Sequence, residues 1–207
     1  MHLYGMDRKE IKMSIYKRQE EIKLDTEQSI TIVGCGGIGY WVAKFSAMSG
    51  IEKIYVFDPD IIEEHNLNRL DIPEKYIGSN KADIVKIMVN GLRPNCTIYA
   101  FPYKFSDVFK TGTDWLIDCT DNYESQIENQ RMAKSKYMKY VKAGYDGESI
   151  GIHNSVAEWG DSEDGYRIVP SWVVPASVVA ALTVAKILKY EKLETITNVK
   201  GLFRTDR

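Results

Sequence analysis

The sequence predicts an α/β protein: a doubly wound, mostly parallel Rossmann-like sheet with late antiparallel strands and an N-terminal helix. Three observations predict it. Short β-branched runs alternate with segments of helical spacing between residues 29 and 143, the pattern of repeated strand–helix–strand units. A glycine cluster, Gly34-Cys-Gly-Gly-Ile-Gly39, separates the first such run from the first helical segment. After Gly144 the alternation loosens, and a long apolar segment follows.

In chain order, residues 1–28 are polar and charged, with apolar positions at Ile11, Ile15, Ile22 and Leu24. That spacing predicts an amphipathic helix around residues 8–22, ahead of the core. Residues 29–34 (SITIVG) predict a buried strand. Residues 38–49 carry helical spacing, and 54–57 predict the next strand, ending in Asp58-Pro59-Asp60. A helix is predicted over 81–91, strands over 97–101 and 115–119, a helix over 124–137 and a strand over 140–143. Residues 150–157 alternate loosely and predict a strand running the other way. Residues 159–165 read as an acidic, turn-rich loop. Residues 175–188 are nearly unbroken apolar but too short to span a bilayer, so they predict a core helix. Residues 195–203 predict a weak strand or tail.

The 207 residues fit one large domain better than two small ones. The expected division is an N-terminal helical arm, 1–28, and a single Rossmann-like domain, 29–207. With 27 Lys+Arg against 29 Asp+Glu the net charge is −2, which excludes a generally basic nucleic-acid binder. Residues 1–12 are charged throughout, which predicts no signal peptide. Cys35, Cys96 and Cys119 form no Cys-x-x-Cys pair, so neither a disulfide framework nor a four-cysteine zinc site is expected. A soluble, cytoplasmic protein with reduced thiols is the expectation.

Gly34, Gly36 and Gly39 fit G-x-G-x-x-G, with Gly37 inside it, between a strand and a helix. The first glycine permits a tight turn, the second lets backbone approach phosphate, and the third allows close helix–strand packing. Asp58 occupies the slot at the end of the second strand where an acid bonds a ribose hydroxyl. The motif by itself leaves NAD, FAD and ATP open. The residues that follow discriminate: Asp60, Asn66-Leu-Asn-Arg69 and Gly78-Ser-Asn-Lys81. A dinucleotide has no need of an arginine and a lysine just past its ribose acid, whereas a triphosphate needs several cations. Leu116-Ile-Asp-Cys-Thr-Asp-Asn122 then puts polar residues directly after a buried strand, at the crevice where open α/β sheets bind ligands. Asp121 is a candidate Mg²⁺ ligand there, because Mg²⁺ often takes one or two carboxylates plus substrate phosphates. Asp118 lies further inside the strand and fits a turn contact equally well.

This ordered set resembles the ThiF/MoeB/HesA superfamily, the adenylating domain of ubiquitin-activating-like enzymes, from about Tyr16 to Tyr190. The resemblance implies that Asp58 holds the ribose of ATP, that Asn66, Arg69 and Lys81 contact its phosphates, and that Asp121 binds Mg²⁺. Ile15-Tyr-Lys-Arg-Gln19 is similar to the family's Arg-Tyr-x-Arg-Gln segment, whose second arginine, here Arg18, reaches into a partner subunit's ATP site. A homodimer is therefore implied. The chain departs from the pattern in three places. It has none of the cysteine pairs that hold structural zinc in larger members, so no zinc is expected. The interval 159–171, where the family carries a crossover loop, is short and lacks cysteine. The family's Asp-Asn-x-x-x-Arg-x-x-x-Asn becomes Asp121-Asn122 with Gln126 and Gln130.

The implied activity is ATP-dependent adenylation of a carboxylate, first of all the C-terminal glycine of a ubiquitin-like or sulfur-carrier protein. A peptide or a tRNA-nucleoside carboxylate is an acceptor of the same class. Two other classes stay open on the sequence. A partner-binding subunit that merely keeps the fold suits the trimmed interval, and a nicotinamide-dependent oxidoreductase rests only on the glycine loop and Asp58.

Overall fold

A computed structural model describes residues 15–106, 109, 112–156 and 170–198. Seven strands, β1 (Ser29–Val33), β2 (Lys53–Phe57), β3 (Thr97–Phe101), β4 (Trp115–Asp118), β5 (Lys139–Tyr145), β6 (Ser149–His153) and β7 (Thr195–Asn198), form one sheet in the order 3-2-1-4-5-6-7. The first five are mutually parallel, and β6 and β7 are antiparallel additions. Between them run α1 (Gly37–Ser49), α2 (Lys81–Leu92), α3 (Tyr123–Ser135) and α4 (Val173–Leu188).

The β1 run is buried from Ile30 to Val33 because parallel strands are covered on both faces. Ile30 and Ile32 face one core with Val42 and Ala43 of α1, Val85 and Val89 of α2, and Val179, Ala180 and Val184 of α4. Val33, Phe57 and Leu116 face the other, with Met132 and Ala133 of α3 and Phe105. Helix α4 begins two residues before its expected start. Pro175 falls in its first turn, where the missing N–H costs nothing.

The N-terminal segment is described from residue 15 onward. Residues 8–14 lie outside the described residues, and Lys17–Ile22 is a 3₁₀ helix that ends at a left-handed Lys23 (φ 55°). Ile15 and Tyr16 are α-helical directly ahead of that turn, and Ile15 and Ile22 are about half exposed. The segment is fastened by polar bonds. Tyr16 Oη donates to Ala47 O (3.1 Å) and Gln19 Nε2 to Ser49 O (2.7 Å), both at the carboxyl end of α1.

Strand β6 stops at His153 instead of running on to 157, because the next amide, Asn154 N–H, donates to Glu194 Oε1 (2.8 Å) and leaves the ladder. The loop at 159–165 and residues 199–203 of the last expected strand lie outside the described residues. Two 3₁₀ turns, Glu64–Asn66 and Glu74–Tyr76, fill the β2–α2 connection, which helical periodicity did not predict. Among the described residues no helix is long and apolar enough to cross a membrane.

Candidate functional site

The strand order reverses about β1, whose neighbours are β2 and β4, so the carboxyl end of β1 opens onto a crevice. The glycine loop fills it. Gly34 N–H donates to Phe57 O (2.9 Å), and Cys119 N–H donates to Val33 O (2.8 Å). Gly34 sits at φ 88°, a left-handed conformation, and a methyl group there would lie 3.0 Å from Cys119 O. A methyl on Gly39 would lie 1.8 Å from Gly34 O, so only glycine lets α1 start this close to β1. Gly36 is different. A methyl there would meet nothing within 4 Å. It is the N-cap of α1, whose first amides receive no side-chain cap and carry partial positive charge.

The end of β2 and the start of α2 are wired to this loop. Asp58 Oδ2 accepts from Cys35 N–H (2.6 Å) and Oδ1 from Asp60 N–H (2.8 Å). Burial pushes the Asp58 carboxyl above its usual range, while those two amides and Lys81 pull it back. Lys81 Nζ lies 3.1 Å from Asp60 Oδ2, and Lys81 N–H donates to Asp60 O (2.9 Å). Asn80 makes this junction rigid. Its Oδ1 caps α2 through Ala82 N–H (2.8 Å), and its Nδ2 donates to Asp58 O (2.9 Å) and Asp60 O (3.0 Å).

Arg69 stands on the opposite wall. Its Nη1 donates to His65 O (2.8 Å) and Asn68 Oδ1 (2.9 Å), and it forms no ion pair among the described residues. A guanidinium balanced only by neutral acceptors is available to an anion. Helix α1 fixes its backbone: Trp41 Nε1 donates to Arg69 O (2.9 Å) and Tyr40 Oη to Asp71 O (2.6 Å). Asn66 is turned inward. It is buried, its Oδ1 accepts from Glu63 N–H (3.1 Å), and it caps the turn that carries Arg69. His65 is exposed, beside Glu63.

Past β4 the two acids separate. Asp118 is fully buried, and both oxygens are taken: Oδ1 by Thr120 N–H (2.9 Å) and Oγ1 (2.7 Å), Oδ2 by Asn129 Nδ2 (3.0 Å) and Tyr140 Oη (3.0 Å). It is an internal anchor, the turn contact of the two expectations. Asp121 is exposed and makes no hydrogen bond or ion pair among the described residues. Where the family pattern has its arginine, Gln126 Nε2 donates to Thr120 O (3.0 Å). The cation comes from β5 instead: buried Lys142 Nζ donates to the same Thr120 O (2.8 Å) and to Ala143 O (2.7 Å). Among the described residues no three His, Cys, Asp or Glu side chains cluster as a metal cage. One exposed carboxylate, completed by a ligand's phosphates, is nevertheless a donor set that Mg²⁺ commonly takes.

The structure thus brings Gly34, Gly36, Gly37, Gly39, Asp58, Asp60, Arg69 and Lys81 together around the glycine loop, and Asp121 follows Thr120, whose backbone borders Gly34. Arg18 is not among them. It is exposed, flanked by Tyr16 and Gln19, at the end of α1 away from the glycine loop. Of the residues that complete the site, Asn80 carried a readable signal, an asparagine just ahead of a helix. Trp41 and Lys142 carried none, since each acts across a long chain separation.

Burial disfavours the thiolate at all three cysteines. Burial pushes Cys96 and Cys119 up to about 12 and Cys35 well above its usual value. At pH 8 a thiol of that pKa is about one part in ten thousand thiolate. Native protein is expected to resist iodoacetamide at pH 8 while denatured protein takes up three equivalents. Rapid labelling of a native cysteine, read by mass spectrometry, would show a thiol activated by something this geometry lacks.

The ThiF family model matches residues 8–158. Ubiquitin-like modifier-activating enzyme 5 of Bombyx mori is 26% identical over 182 residues, covering 81% of this chain and 45% of its own length. The protein of the same name from Oryza sativa subsp. japonica is 24% identical over 184 residues, covering 81% and 43%. The chain therefore spans less than half the length of these relatives. Among solved structures, E. coli MccB with AMPCPP and MccA superposes with a TM-score of 0.70 at 18% identity, covering 84% of this chain and 63% of that one. PaaA superposes with a TM-score of 0.71 at 21% identity, covering 96% and 76%. At such identities these likenesses show the fold.

Proposed function

The chain belongs to the ThiF family, and on that premise we propose that it is an ATP-dependent adenylyltransferase that activates a carboxylate. The observation that carries this reading is the crevice itself. An uncapped helix N-terminus, an open Gly36, an arginine without an ion pair among the described residues and Lys81 border the glycine loop, with the Asp58 carboxylate at its edge. Such a set suits a polyanion with a ribose beside it.

In this reading a carboxylate oxygen of the acceptor attacks the α-phosphorus of ATP. The new bond joins acyl oxygen to phosphorus, the bond to the bridging oxygen breaks, and pyrophosphate leaves. Arg69, Lys81 and the α1 amides stabilise charge on the phosphates, and Asp58 orients the ribose. No general base is required, because positioning and electrostatics supply the catalysis. Mg²⁺, when bound at Asp121, would neutralise phosphate charge. Arg18 is assigned to the site of a second copy, since on its own subunit it sits at the wrong end of α1.

The acceptor we favour is the C-terminal glycine of a ubiquitin-like or sulfur-carrier protein, supported by relatives named as ubiquitin-like modifier-activating enzymes. A peptide acceptor is the second reading, supported by the likeness to MccB solved in complex with N-formylated MccA. ATP–pyrophosphate exchange in the presence of each candidate carboxylate tests the proposal. Exchange dependent on one acceptor class is expected. ATP binding without exchange would favour a partner-binding subunit, and preference for NAD over ATP would overturn the nucleotide assignment.

Asp121→Ala is expected to weaken MgATP binding by about tenfold while leaving metal-free ATP binding unchanged, because the metal loses its one protein carboxylate. Calorimetric titrations with and without Mg²⁺ check this. An unaltered Mg²⁺ response would move the metal to Asp60, since Asp118 has no free oxygen.

A further inference from the structure

We infer that Tyr145 is a further substrate-binding residue, its hydroxyl donating a hydrogen bond to a phosphate oxygen at the N-terminus of α1. The inference rests on the ATP reading above and adds a ligand to that site. A methyl group built on Gly37 would lie 2.8 Å from Tyr145 Oη and 3.0 Å from Arg69 Cδ. The phenol, the arginine and the first turn of α1 therefore meet at one point. Immediately beside it, at Gly36, the space is open. An anion that enters at Gly36 meets the helix amides below it, Arg69 on one side and the Tyr145 hydroxyl on the other.

The hydroxyl is held for this. Tyr145 ends β5, and its Oη lies 2.9 Å from Ser171 Oγ. Ser171 is in turn fixed through its carbonyl, which accepts from Asn68 Nδ2 (2.7 Å), and Asn68 Oδ1 accepts from Arg69 Nη1 (2.9 Å). Trp172 Nε1 donates to Gly147 O (2.9 Å), tying the same segment to the turn after β5. A closed circuit thus links Tyr145 to the arginine. Either hydroxyl of the Tyr145–Ser171 pair can be the donor. When Ser171 donates, the phenolic proton is free for the ligand. Tyr145 is half-buried, and Arg69 forms no ion pair among the described residues, so a bond from the phenol to an ionised phosphate would be charge-assisted and only partly screened.

The test is calorimetric titration of wild type and Tyr145→Phe with ATP, tripolyphosphate and adenosine. The variant keeps the ring and removes one oxygen. Its dissociation constants for ATP and tripolyphosphate are expected to rise about tenfold, while that for adenosine stays unchanged. Ser171→Ala is expected to lose less than Tyr145→Phe. Unchanged ATP and tripolyphosphate binding overturns the inference. So does an equal weakening of adenosine, which marks a structural role, or a loss in Ser171→Ala as large as in Tyr145→Phe. Wild type that binds tripolyphosphate but not ATP overturns the nucleotide reading, and the tripolyphosphate arm still decides Tyr145. Wild type that binds neither overturns both.

Discussion

Lys81→Ala is expected to slow ATP–pyrophosphate exchange by about 10²–10³-fold, the loss typical of one preorganised charge-stabilising donor. The same substitution should barely alter stability. Its partner Asp60 is about two-thirds exposed, and exposed pairs are worth about 0–1 kcal/mol. The start of α2 is capped by Asn80, which the substitution leaves in place. The two readouts are therefore separable: exchange collapses and the urea midpoint stays. Exchange near the wild-type rate would remove Lys81 from the phosphate site and leave Asp60 as its only purpose.

Asp118→Ala is expected to destabilise the fold by about 3–5 kcal/mol, in the range for breaking a buried, hydrogen-bonded charge. The carboxylate is fully buried and accepts from Thr120, Asn129 and Tyr140. Removing it leaves the Tyr140 hydroxyl and the Asn129 amide without an acceptor inside the protein. Those two groups belong to β5 and α3, so the loss reaches both the neighbouring strand and the helix packed on that face of β4. Equilibrium unfolding in urea measures it. A variant of near wild-type stability that had lost its Mg²⁺ dependence would reverse the assignment and make Asp118 the metal ligand.

The two acids show why one part of the site was legible and another was not. Asp118 and Asp121 are three residues apart behind the same strand, and both suit a metal by type. Local sequence states only that they follow a buried run. Their difference lies in partners eleven and twenty-two residues away, Asn129 and Tyr140. Likewise the motif marks Asn66 as a phosphate contact but does not state that its Oδ1 accepts from Glu63 N–H in capping its own turn.

What the sequence settled were the properties carried by neighbours along the chain. The β-branched runs, the glycine loop and the Asn80 cap impose local backbone geometry, so the five parallel strands and four helices could be read in order. Steric demands as sharp as that at Gly39 need no distant partner to be recognised. The register and end of each strand, the fate of the N-terminal arm and the wiring of the site were decided only by tertiary packing. The arm shows this most plainly: its apolar spacing asks for an amphipathic helix, but its stretch Lys17–Ile22 is a 3₁₀ helix with Ile22 about half exposed. Polar bonds to the end of α1 hold it, and Arg18 is left away from the crevice. Lys142 taking up the carbonyl that Gln126 also holds, and Tyr145 meeting Arg69 over Gly37, are contacts between elements far apart in sequence. Hydrogen bonds of that kind depend on positions that only the folded sheet brings together.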